Sequence, residues 1–377
     1  MNENKYKNII VTLITITNLL VAFFISGIVI WALGENPWYA LKTMLYGAFG
    51  YEEGLGYTLY YTTNFIFTGL AFAIGFHCGL FNIGAEGQAY IGGLAVGLIC
   101  LWFENWPILL VFPLAVMASI IFGGLWGAIP GYLKGRHGSH EVVTTIMFNF
   151  IASVVMVYLL SHVLRPPQEM SPESRDFAEK VWIPQMHEIF GWFGIKITQT
   201  PLNGTFFFSL ICLLLVWRFI WYTRWGYEIR TVGSSETAAV YAGIKVSRNI
   251  IIAMTIGGGL SGFVGINEIM GSSHRIMLNF QEGIGFTGIA VSLIGRNHPL
   301  GIFLAALLFG ILYQGGAELS FEVQSIDRHM VVLIQGLVIL FAGALENLFR
   351  PQIENIVKDC LKKNCLTMRK ITNFKLI

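Results

Sequence analysis

The stretch GLFNIGAEGQAYIGGLAVGL, Gly79 to Leu98, decides how this chain is read. It is apolar enough to enter a bilayer, yet it holds Asn82, Glu86, Gln88 and six glycines. Gly79, Gly84 and Gly87 mark a break, and the link before them, HCGLFN, is very short and nearly uncharged. Broken helices are tolerated at membrane depth only where protein or water satisfies the freed backbone groups. Such breaks also surround transport sites. Gly93 and Gly97 have a small-x-x-x-small spacing, which lets two helices approach closely.

The rest of the chain agrees with a membrane setting. Its 377 residues are 55% hydrophobic and 12% charged, with a mean hydropathy of +0.63. An ordinary soluble domain is about 25% charged. A soluble fold could not hide this much apolar surface, so the solvent must be lipid. Cys78, Cys100, Cys212, Cys360 and Cys365 lack metal-ligand spacing and are read as free thiols. No metal or cofactor site is expected. The N-terminal apolar run is too long for a signal-peptide core and is expected to be a retained membrane helix.

A helix needs about 20 apolar residues to cross ~30 Å of hydrocarbon. Ten spans are expected, at about 9–33, 58–76, 83–103, 107–132, 141–163, 205–223, 249–270, 284–295, 299–317 and 329–349, the eighth being too short to cross alone. With both termini in the cytoplasm, 16 of the 24 Lys and Arg fall on the cytoplasmic side, as the positive-inside rule requires. The chain is therefore read as an all-α polytopic integral membrane protein of about ten helices, some broken, with an inverted repeat of two halves. Residues 1–349 form the transmembrane domain and 350–377 a basic cytoplasmic tail. The external connection at about 164–204 carries Trp182 and Trp192, which suit an interfacial segment or a docking surface for an external partner.

The cytoplasmic connection at about 224–249 reads RWGYEIRTVGSSETAAVYAGIKVSRN. Ser234 or Ser235 can cap a short helix, with Glu236 in its first turn and Gly243 after its end. Thr237, Val240, Tyr241 and Ile244 share one face of it. A helix this short is marginal alone, so that face needs a partner: the protein's own membrane helices or a peripheral cytoplasmic subunit.

Here Gly226, Ile229, Arg230, Val232, Gly233, Ala238, Ala239, Gly243 and Ile244 carry a pattern that resembles the cytoplasmic loop of permeases in the branched-chain amino acid, simple sugar and nucleoside importer group. NIGAEGQ (Asn82 to Gln88) is similar to a second hallmark of that group, particularly its nucleoside branch. GFTGIAVSLIGRNHPLG (Gly285 to Gly301) is similar to a third. The resemblance covers about residues 58–345. It implies one of two membrane subunits, the same or different, of an ATP-binding cassette importer in a bacterial plasma membrane. A separate ATPase would clamp the helix formed by Gly233, Glu236, Ala238, Ala239, Val240, Tyr241, Gly243 and Ile244. An external substrate-binding lipoprotein would deliver a nucleoside or simple sugar. The chain has no Gly-x-x-x-x-Gly-Lys-Ser/Thr phosphate loop, so ATP hydrolysis is expected on another chain, and this one is not read as an enzyme or as a nucleic-acid binder.

Charged groups inside a membrane usually face a cavity or a partner. Asn82, Glu86, Gln88 and Asn149 are the pathway candidates of the first half, and Glu282, Thr287 and Ser292 those of the second. Glu86 either meets solute or accepts backbone N–H groups at the start of a broken helix. Glu141, Glu268 and Glu346 fall near span ends and read as interfacial. Phe72, Phe76, Phe148 and Phe286 are candidates for stacking a base, against the plainer reading of lipid-facing filler. The alternative function is an ion-coupled secondary transporter, which would be expected to carry more buried acids or histidines.

Overall fold

The computed structural model describes residues 17, 20–167, 169–323 and 325–344. The basic tail, Glu346, Cys360, Cys365 and the outer parts of the first and last expected spans lie outside these residues. The described residues form helices and connections, with no strand among them beyond one isolated bridge between Gln185 and Asn203.

Among the described residues, seven helices are long and apolar enough to cross a membrane: α3 (Glu52–His77), α4 (Ala85–Trp102), α5 (Ile108–His137), α6 (Glu141–His162), α8 (Thr205–Tyr222), the continuous stretch Val246–Ser273 and α13 (Pro299–Glu322). They coincide with seven of the expected spans. The described part of the first expected span is α1 (Leu20–Ala32), and past its end the chain bends by 116° into α2 (Pro37–Phe49). Counted as one span, the pair makes eight. Of the other two expected spans, α12 (Ile284–Ile294) has 11 residues, and α14 (Arg328–Ala344) runs up to the last described residue. Eleven residues rise only about 16 Å, half of a bilayer core.

The described chain divides into two compact units. One holds the residues up to Thr43 and those from Leu319 onward; within it Tyr39 donates to Glu322 at 2.7 Å and Ser325 bonds Glu35. The other, Met44–Glu318, carries the elements that matter for function.

Hydropathy sorts that unit into inner and outer helices. α5 and α6 have mean hydropathies of 2.5 and 2.1 and bury 33% and 22% of their spans; α3 and α4 stand at only 1.2 and bury 83% and 78%. Lipid selects apolar side chains on the outer helices, whereas the inner ones meet protein and can carry amides and hydroxyls. α4 meets the Val246–Ser273 stretch through glycine. A Cβ on Gly265 would lie 2.2 Å from the Cα of Gly93, and one on Gly92 would lie 2.4 Å from the Cα of Gly262. Gly93 thus serves the close approach its spacing suggested. Gly97 serves it too, against the side chain of Ile276.

The Val246–Ser273 stretch changes winding partway. α11 (Val246–Gly262) is α-helical, and Ile266–Ser273 is a π-helix ending at His274 in a left-handed conformation. The connection 164–204 folds back onto this end. Phe177 N–H donates to the His274 carbonyl at 2.8 Å, Ser174 N–H donates to the Ile276 carbonyl at 2.9 Å, and Arg275 pairs with Glu173 at 3.2 Å. Trp182 stacks on the His274 ring at 3.8 Å, whereas Trp192, just past the short helix α7 (Met186–Gly191), is 72% exposed. Cys78, Cys100 and Cys212 are free and buried.

Candidate functional site

α3 ends at His77, and Gly79, at φ +77°, turns the chain back into the protein before α4 starts at Ala85. Backbone groups freed between the two helices need partners in a dry interior. Asn82 and Gln88 first fix each other's amides: Asn82 Nδ2 donates to Gln88 Oε1 at 3.1 Å, and Gln88 Nε2 to Asn82 Oδ1 at 3.2 Å. Asn82 Oδ1 also accepts the Gly84 N–H at 2.9 Å. Asn149 reaches in from α6. Its Oδ1 accepts the Gly87 N–H at 2.9 Å and its Nδ2 donates to the Ile83 carbonyl at 3.0 Å. All three amide side chains are buried.

Glu86 faces the other broken element. Its Oε1 accepts the Gly283 N–H and its Oε2 the Gly285 N–H, each at 2.8 Å. These donors stand at the head of α12, where first-turn N–H groups lack intrahelical partners and the helix dipole favours negative charge. One carboxylate of the first half therefore caps a short helix of the second. Only glycine fits at 285, because a Cβ there would lie 2.4 Å from the Glu86 backbone nitrogen. One turn further along α4, the Tyr90 hydroxyl accepts the Asn279 N–H at 2.8 Å, and its ring meets Phe280 edge-on.

Of the second-half candidates, Glu282 is exposed beside this junction, with its backbone at φ +35°. Thr287 lies in the first turn of α12, with its Oγ1 3.2 Å from the Gly283 carbonyl and 3.1 Å from the Tyr313 hydroxyl. Ser292 is not brought to the junction. It sits about 7–8 Å further along α12 and donates to Asn297 Oδ1 at 2.8 Å. Among the four phenylalanines, Phe286 is at the head of α12 and 48% exposed, whereas Phe72 is buried against Phe76 and Phe81. Phe148 is half-buried and meets Trp126.

The connection at about 224–249 forms α9 (Arg224–Ser234) and α10 (Glu236–Tyr241). Ser235 is the cap, accepting the Ala238 N–H at 3.3 Å, and Gly243 follows the end at φ +76°. Ala239 packs inward, while Val240 is 63% and Tyr241 94% exposed. Gly233 anchors the connection on the α3–α4 turn; a Cβ there would lie 2.2 Å from the His77 carbonyl and 2.8 Å from the Gly79 nitrogen. A single short segment, residues 77–88, thus touches the end of α9 on one side and the head of α12 on the other.

One reading needs correction. Glu268 is not interfacial: it lies in the π-helix among interior side chains, and Asn64 of α3 donates to it at 2.5 Å. Sequence reasoning also passed over Asn64, Asn267 and Asn203. The available signal was an amide in the middle of an apolar span, which usually marks an interhelical bond. Glu141 does sit at a helix start, paired with Lys134 at 2.9 Å. Among the described residues, no group of three or more His, Cys, Asp or Glu side chains could hold a metal ion.

Interrupted helices joined at their breaks inside a shell of membrane-length helices describe a membrane transport subunit, and residues 54–343 match the branched-chain amino acid transport system permease component family. The chain belongs to that family and is a multi-pass membrane protein. It is 32% identical to the nucleoside ABC transporter permease protein NupB of Lactococcus lactis subsp. cremoris (strain MG1363), over 90% of this chain and 92% of that one. It is 34% identical to the guanosine ABC transporter permease protein NupP of Bacillus subtilis (strain 168), over 79% and 83% of the two chains. It is also 30% identical to the glucose ABC transporter permease protein TsgB13 of Haloferax volcanii, over 86% and 85%. No solved structure matches it.

Proposed function

We propose that this chain is the transmembrane permease subunit of an ATP-binding cassette importer that carries nucleosides or related simple sugars. The observation that carries the reading is the segment 77–88, which touches the end of α9, just before the exposed α10, and reaches the junction of two broken helices. On this reading a separate ATPase grips the Val240 and Tyr241 face of α10, and ATP is hydrolysed on that chain. A second permease subunit, identical or different, completes the pathway. An external binding lipoprotein delivers solute, and the connection 164–204 is the surface nearest to it. Both termini lie in the cytoplasm, and the membrane is a bacterial plasma membrane.

The pathway runs beside the head of α12, past Glu86, Glu282 and Thr287. Asn82, Gln88 and Asn149 hold the α3–α4 break in shape, and Ser292 holds the far end of α12. The relatives transport nucleosides, guanosine and glucose by their names. An interior lined by amides, hydroxyls and aromatic rings suits such neutral polar solutes.

The test is Tyr241→Asp in the assembled importer. A charge on the exposed face should abolish nucleoside-stimulated ATP hydrolysis and uptake while the protein still reaches the membrane. Full uptake would rule out α10 as the ATPase contact.

A further inference from the structure

Glu268 is a carboxylate deep among the inner helices that the junction at Glu86 does not use. Its hydrogen bond comes from a neutral group: Asn64 Nδ2 donates to it at 2.5 Å. Asn64 Oδ1 accepts from Asn267 Nδ2 at 2.9 Å, and Asn267 Oδ1 accepts from Asn203 Nδ2 at 3.0 Å. A row of amides thus leads from the end of the 164–204 connection to this one acid. Bracing alone would not need a charge. A glutamine oxygen accepts the Asn64 donor without the cost of taking an acid out of water.

The surroundings say what the charge could meet. Tyr60, Tyr61, Asn64, Phe65 and Thr68 fall on one flank of α3 at helical spacing. That flank meets the π-helix through Asn64 and α12 through Thr68, against which a Cβ on Gly288 would clash at 2.4 Å. The Tyr61 ring lies 5.5 Å from that of Tyr60 and 5.6 Å from that of Tyr313, whose hydroxyl is 3.1 Å from Thr287 Oγ1. Glu268, Tyr61 and Tyr313 are all half-buried rather than sealed. A carboxylate with unused lone pairs, flanked by aromatic faces and hydroxyls, matches a polyhydroxylated ring. Two adjacent hydroxyls donate to the acid, while a ring face or an attached base lies on tyrosine.

We propose that Glu268, oriented by Asn64, takes the vicinal hydroxyls of the solute inside the membrane and selects polyhydroxylated rings over their deoxy analogues. The inference rests on the permease reading above and adds the residue that reads the solute.

The test is uptake by cells producing the complete importer with the wild-type, Glu268→Gln or Glu268→Asp permease. The probes are inosine and uridine, each against its 2′,3′-dideoxy counterpart, at saturating concentration. The binding protein is the same in every strain, so its own preference cancels when ribonucleoside-to-dideoxy ratios are compared between permeases. Glu268→Gln should lower ribonucleoside uptake about tenfold more than dideoxynucleoside uptake, with Glu268→Asp between it and the wild type. Equal losses for both solutes make Glu268 a purely structural brace and overturn the proposal, as does an unchanged ratio without loss. If Glu268→Gln does not reach the membrane, the ratio for Glu268→Asp decides by the same criterion. Wild-type cells that take up neither nucleoside overturn the nucleoside reading itself, and this inference with it.

Discussion

Replacing Glu86 by glutamine should release the head of α12. The carboxylate accepts two backbone N–H groups, from Gly283 and Gly285, each at 2.8 Å. Glutamine keeps one acceptor oxygen and turns an NH2 donor toward the other N–H. One charge-assisted bond is lost, worth about 1.5–3 kcal/mol, and with it the match of charge to helix dipole, about 0.3–1 kcal/mol. The sum is about 2–4 kcal/mol, or roughly 30- to 1,000-fold in the ratio of docked to released helix head. Hydrogen exchange of the purified protein reads this directly, because the amide exchange rate follows the open population. Amides of residues 279–287 should exchange faster by that factor in Glu86→Gln, while those of the α4 and α11 interiors keep wild-type rates. Unchanged exchange at 279–287 in a correctly inserted variant would refute the capping argument. Uptake should fall alongside the exchange, since the released helix borders the proposed pathway.

Asn149→Leu orphans the Gly87 N–H and the Ile83 carbonyl and should cost about 2–4 kcal/mol, lowering the unfolding temperature in detergent; Asn149→Asp keeps the acceptor for Gly87 and should lose less. Gly233→Ala pushes a methyl toward the His77 carbonyl and should cost about 1–3 kcal/mol of overpacking, and in the assembled importer ATP hydrolysis should lose its response to nucleoside while both chains still co-purify. Burial holds the His274 pKa below its ordinary 6.5, more than the Met270 carbonyl raises it, so the folded protein prefers the neutral ring stacked on Trp182. That preference stabilises fully above pH 6.5 and is lost progressively as pH falls below it. Protease should therefore cut the 164–204 connection faster at pH 5 than at pH 7.5, and His274→Gln should flatten the difference.

Much of the fold was legible because a bilayer imposes simple rules. Length and hydropathy locate the seven long helices within a few residues, since each must cover the same hydrocarbon thickness. The break after Gly79 was legible because glycines and amides have few other uses in an apolar span. The cap at Ser235 was legible because capping is local chemistry. The count of spans was less so. α12 is apolar yet only 11 residues long, and just past the first expected span the chain turns by 116° between Ala32 and Pro37 into a further apolar helix. Glu268 was misread for a different reason. Its place was judged from its distance to the end of the span, but the Ile266–Ser273 π-turn and the folded-back 164–204 connection enclose that end in protein.

By itself, the sequence determined that the protein is an all-α membrane chain, that its second and third expected spans are joined through a break, and that the connection at about 224–249 holds a short capped helix. These are matters of composition and of contacts a few residues apart. Only the tertiary structure decided what Glu86 holds. Its partners, Gly283 and Gly285, lie 197 and 199 residues away in the chain. Backbone N–H groups are carried by every residue but proline, so no side-chain pattern in the sequence could mark those two as its partners. The acid in the opening stretch is there because another helix starts beside it, inside a membrane, with N–H groups that water cannot reach.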